Sequence, residues 1–153
     1  MTLRITHLFA AVLAAVTLVA TPALAQDDPG EIVRNAAAAM QSAADRTTGA
    51  IQESTRDGIA MINRLDDNGA TDRELTSAAR RATVEVNHGA RHGARRVGLI
   101  AGRAAQALRR LGADRSFFQA LGRARRAASG EISQSRERGT NAIQAALRTA
   151  LDD

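Results

Sequence analysis

The sequence predicts an all-α chain, an elongated antiparallel three-helix bundle (up-down-up) preceded by a cleaved signal peptide. Three observations carry that expectation. Small and aliphatic residues recur every three or four positions through three long stretches, which gathers them on one flank of a helix. The two breaks between the stretches are short and rich in turn residues, so consecutive helices must fold back on one another. Bulky apolar residues are scarce: Ile, Leu, Val and Phe number 21 after position 25, and Trp and Tyr are absent. Such a supply suits narrow seams between long helices better than one compact globular core.

The N-terminus has the three-part build of an export signal. Arg4 and His7 make a basic start, an apolar stretch runs over residues 8–19, and Ala23-Leu24-Ala25 forms a small-residue cleavage motif. An apolar run of this length falls short of the roughly 20 residues needed to cross a bilayer. Residues 1–25 are therefore expected to be removed, leaving residues 26–30 as a short lead and 31–153 as a single Ala- and Arg-rich helical domain. The product is expected to be exported, periplasmic or extracellular, with no transmembrane segment. The chain has no cysteine, which rules out both a lipid-bearing Cys at the cut and disulfide support.

The first helix is expected over residues 31–66. It opens after Asp28-Pro29-Gly30, with Glu31 where the helix dipole favours negative charge, and shows Val33, Ala36, Met40, Ala44, Ile51, Ile62 and Leu65. Asp66-Asp67-Asn68-Gly69 ends it. The second helix, over 72–111, starts from a capping box of Thr71 and Glu74. Its stripe reads Leu75, Ala79, Ala82, Val86, Gly89, Gly93, Val97, Ile100, Ala104, Ala107 and Leu111, and Gly112 stops it. The third helix, over 116–151, takes Asp114 or Ser116 as N-cap. Phe117, Leu121, Ala124, Ala128, Ile132, Ser135, Gly139, Ile143, Ala146 and Ala150 form its stripe. Gly49, Ile51, Ser54, Gly58 and Ile62 match Gly130, Ile132, Ser135, Gly139 and Ile143 at a constant offset of 81, as expected if the first and third helices are parallel equivalents.

Charge is the most informative functional feature. Residues 86–128 hold ten arginines (Arg91, Arg95, Arg96, Arg103, Arg109, Arg110, Arg115, Arg123, Arg125 and Arg126) against one acid, Asp114, a net of +9. Residues 26–85 carry a net of −4. Two function classes follow. The leading expectation is a non-enzymatic structural or interaction protein that engages itself or another helical protein, its arginines covering thin seams and pairing with the acidic first helix. The alternative is a polyanion-binding protein that takes an anionic glycan, a lipid headgroup or extracellular DNA through segment 86–128. Its candidate residues are Arg91, Arg95, Arg96, Arg103, Arg109, Arg110, Arg123, Arg125 and Arg126. Without Trp or Tyr to stack on bases, nucleic acid is the less favoured of these ligands. A third reading is a chain that gains its helices on binding.

Other chemistry has little to stand on. His88 and His92 lie four apart with Glu85 three before, but a structural metal site normally takes four ligands, so an ordinary exposed pair is expected, with no metal and no cofactor. There is no cysteine, no phosphate-cradling glycine loop and no strand on which to display a nucleophilic serine. The expectation is that the protein is not an enzyme.

Overall fold

The computed structural model describes residues 28–152. The signal-peptide assignment, residues 1–25, lies outside them. Three helices make up the described chain, α1 (Pro29–Asp67), α2 (Asp72–Arg110) and α3 (Arg115–Asp152), with no strand among the described residues. None of these helices is long and apolar enough to cross a membrane. Each packs against both others, forming a bundle.

Local chemistry sets the helix ends. The Asp28 carboxylate accepts from the Gly30 amide at 2.9 Å, and Pro29 takes the first turn, where a missing N–H costs nothing. Asp-Pro-Gly is therefore the cap itself, and α1 starts two residues before the expected position. The Gly69 amide donates to the Asp66 carbonyl at 2.8 Å and the Ala70 amide to the Leu65 carbonyl at 3.0 Å. The α2–α3 turn repeats the pattern, with Gly112 bonded to Arg109 and Ala113 to Leu108. Both closures need a left-handed residue, and Gly69 (φ 70°) and Gly112 (φ 63°) supply it. At the start of α2 the Glu74 carboxylate accepts from the Thr71 amide at 2.9 Å and its hydroxyl at 2.8 Å, within the expected capping box. Since α3 begins at Arg115, Asp114 and not Ser116 stands at its N-cap position.

The buried residues follow one rule in all three helices. In α2 they include Leu75, Ala79, Ala82, Val86, Ala90, Gly93, Val97, Ala101, Ala104 and Leu108, a 4-3-4 step repeated every eleven residues. In α3, Leu121, Ala128, Ile132, Ser135, Gly139, Ile143 and Ala150 keep the same repeat, and in α1 so do Ala36, Met40, Ala43, Ile51, Gly58 and Ile62. Eleven residues in three turns is close to the natural helical pitch, so the seam stays on one side of a nearly straight rod about 60 Å long. This corrects the stripe read from the sequence. Beyond Val86 the seam runs through Ala90, Ala101 and Leu108, leaving Gly89, Ile100 and Ala107 half-buried and Leu111 exposed. In α1, Ile32 is buried in place of Val33.

With few bulky side chains, the helices make contact by close approach. Gly58 lies against Ala82, Gly93 against Thr47 and Gly139 against Thr55, and a Cβ on any of the three glycines would overlap its neighbour. The buried Thr55 hydroxyl is satisfied by its own helix, donating to the Ile51 carbonyl at 2.7 Å. Thr47 does the same to Ala43 at 2.7 Å. These contacts set the register: α1 and α2 run antiparallel and α1 and α3 parallel. Residues level with one another in α1 and α3 are 84 or 85 positions apart (Thr55 with Gly139, Gly58 with Ile143). The sequence similarity at an offset of 81 therefore marks residues with the same facing role, about one helical turn out of level.

The glycines sort into two classes with opposite expected behaviour. A Cβ at Gly49, Gly98, Gly102 or Gly130 would meet nothing within 4 Å, so Ala there should raise stability by about 0.5–1 kcal/mol through helix propensity. Gly93→Ala and Gly139→Ala should each lower it by about 1–3 kcal/mol through overpacking. Denaturant unfolding of the six variants checks this, and a common sign across both classes would contradict the close-approach geometry. A second expectation concerns Glu74. The hydrogen bonds from the Thr71 backbone and side chain hold its carboxyl below its ordinary value of 4.5. A depressed folded pKa gives stabilisation that is complete above the ordinary value and lost as pH falls through the lowered one. The stability gap between the parent and Glu74→Gln should therefore be flat near neutrality and shrink in acid. A gap that persists undiminished under acid conditions would remove this role.

Candidate polyanion interface

Because the seam takes the small and aliphatic side chains, the arginines are left on the outside. All ten between Val86 and Ala128 are exposed. The topology then brings them together. As α2 approaches the turn at residues 111–114 and α3 leaves it, residues 86–110 and 115–128 lie side by side in one half of the bundle.

Four acidic residues in that half, Asp28, Glu31, Asp45 and Glu131, have other partners. Arg34 takes Asp28 at 3.7 Å and Glu31 at 4.0 Å. The Gln41 side-chain amide donates to Asp45 at 3.0 Å and, across to α3, to Glu131 at 2.9 Å. The remaining ion pair among the described residues joins Arg136 to Glu137 at 3.5 Å. None of the ten arginines has a carboxylate within 4.0 Å among the described residues. Arg91 donates from Nε to the Asn87 carbonyl of its own helix at 3.3 Å, leaving the rest of its guanidinium outward. The expected pairing of these arginines with the acidic first helix is thus not found among the described residues. Asp28, Glu31 and Asp45 are held by Arg34 and Gln41, and the helices meet through residues too small to bring the arginines inward.

No family model, curated protein or solved structure matches this chain.

The candidate residues do not share one face. Gly89 and Gly93 of α2 lie against Ile51 and Thr47 of α1, and by helical periodicity Arg96 and Arg103 fall on that α1-facing flank. Arg91 and Arg109 fall on the opposite flank, toward α3. On α3, Glu131 reaches Gln41 of α1, and Arg123 shares its side while Arg125 lies on the side toward α2. Arg95, Arg110, Arg115 and Arg126 point away from the bundle.

The other candidates stay apart from this patch's chemistry. The His88 and His92 rings tilt against one another with centroids 4.4 Å apart, both exposed. No group of three metal-ligating side chains converges among the described residues. An open depression lies along the first turns of α2, lined by Asp72, Arg73, Thr76, Ser77 and Arg80, and has the form of a helix flank rather than a reaction pocket.

Exposed, unpaired arginines contribute little to folding. Arg91→Ser, Arg109→Ser and Arg125→Ser should each change unfolding free energy by no more than about 0.5 kcal/mol. A loss above about 1 kcal/mol would assign the residue a structural role in covering the seam.

Proposed function

We propose that the chain is an exported, non-enzymatic binding module that holds polyanions against the arginine-rich half of its bundle. The observation that carries this reading is the set of ten exposed guanidiniums without a carboxylate partner among the described residues. Unpaired guanidiniums concentrated in one half create a local positive field that steers anions, and their planar forks suit carboxylate, sulfate or phosphate oxygens. Export rests on the signal-like residues 1–25.

This reading displaces the interaction-module expectation from first place. Engagement of itself or a helical partner is motivated by seams too thin to be stable alone, and here the three helices cover one another's seams within one chain. The exposed bulky residues are scattered: Val84 and Leu99 of α2 are separated by about 22 Å along the helix. They make no contiguous patch for a helical partner.

Heparin binding across a salt series tests the proposal. Contacts to a polyanion release counterions, so log affinity should fall linearly with log salt. An Arg109, Arg110, Arg123, Arg125, Arg126 to Ser variant should bind at least tenfold more weakly, with a shallower slope. Equal binding by parent and variant would reduce the patch to solvated surface.

A further inference from the structure

We propose that the ligand is a single extended acidic glycan chain lying lengthwise in the groove between α2 and α3, an inference that rests on the polyanion reading above. Of the three grooves in the bundle, this one carries positive charge on its borders with its one nearby carboxylate, Glu137, already paired with Arg136. On α2 the flank turned away from α1 carries Arg80, Arg91 and Arg109, and on α3 the flank turned toward α2 carries Arg125. Within residues 80–110 of α2 and the level stretch 115–145 of α3 the acids are Glu85, Glu131 and Glu137, the last taken by Arg136 at 3.5 Å. Glu85 falls on the α1 side of α2, and Glu131 is bonded to Gln41 of α1. The grooves that α1 borders receive its carboxylates, including Glu31 and Glu53.

The groove is also open along its length. Gly98 and Gly102 lie on the same flank of α2 as Arg109 and Arg91, eleven residues from each, and a Cβ on either would have nothing within 4 Å, so this border is bare between its arginines. From Arg80 to Arg109 the borders extend about 44 Å, with successive arginines on alternate or the same helix at intervals of roughly 13–17 Å along the axis. A small anion would touch one of them. An extended chain with charges along it would touch all four, and its affinity would grow with its length.

The shape favours one class of chain. Neighbouring helix axes lie about 8–10 Å apart, so the valley between them takes a single strand and not a duplex. Single-stranded nucleic acid binds through aromatic platforms, whereas Phe118, the aromatic on this flank, is half-buried against the core. A lipid surface needs bulky apolar groups to insert, and the groove offers glycine together with polar Ser129 and Asn87. A hydroxylated chain bearing carboxylates or sulfates meets both the charge and these polar side chains.

Titration calorimetry with size-fractionated heparin oligosaccharides tests this, using two triple variants that remove equal charge. Affinity for the parent should climb with fragment length until the fragment spans the groove, then level. Arg80, Arg91, Arg125 to Ser should lose at least tenfold, and Arg96, Arg103, Arg123 to Ser less than threefold. Gly98→Leu with Gly102→Leu, which keeps every charge and favours helix, should also lose at least tenfold by obstructing the border between the arginines. Equal losses from the two triples, or no loss on obstructing the border, would overturn the groove while leaving polyanion binding intact. Duplex DNA or anionic vesicles competing as well as heparin at equal charge would overturn the glycan assignment. No binding of heparin by the parent would remove the underlying reading as well.

Discussion

Close approach of helix backbones is the constraint on which this structure depends. Among the described residues, nine large side chains are fully buried along the whole bundle, including Met40, Ile51, Leu75, Val86, Leu108 and Ile143. So few cannot fill the space between helices at an ordinary separation. Dispersion falls off steeply with any gap, so a seam of alanine and glycine coheres only where backbones nearly touch. One glycine from each helix, Gly58, Gly93 and Gly139, provides that contact. An eleven-residue repeat keeps the contact line continuous, since a seam that wound around the helix would lead large exposed residues into it.

The same constraint accounts for the charge on the surface. A seam this narrow admits no arginine, so every guanidinium of segment 86–128 is turned outward. The tight α2–α3 turn folds the two basic stretches together in one half. α1 brings acids to that half, of which Arg34 and Gln41 occupy Glu31 and Asp45. The positive surface follows from how the seam is built and from which polar side chains reach the acids first. Polyanion binding is the use we propose for such a surface.

Much of this was legible in the sequence. Turn chemistry at Gly69 and Gly112 and the capping box at Thr71 and Glu74 are local, and local chemistry marked three helices to within two residues. The density of arginine against a single acid could be counted directly. What escaped were distinctions between adjacent small residues. Gly89 and Ala90, Ile100 and Ala101, Ala107 and Leu108 each offer two neighbouring apolar or small positions, so steps of three and four cannot decide between them; only the repeat shared by all three helices does. Partner choice escaped too, because Gln41 competing for Asp45 and Glu131 depends on a register between helices 90 residues apart in sequence. Arg80 lies outside the basic segment, so charge density alone does not single it out, although it continues the Arg91 flank one repeat earlier.

One chain closes its own seam at glycine contacts and so leaves its arginines free. Nuclear Overhauser contacts between the Thr47 methyl and the Gly93 α-protons, and between the Ala82 methyl and the Gly58 α-protons, test it most directly when recorded on a mixture of labelled and unlabelled chains. Both contacts are expected within labelled molecules and neither between labelled and unlabelled ones. Contacts that appear between molecules, or are missing from a chain that is still helical, would contradict it.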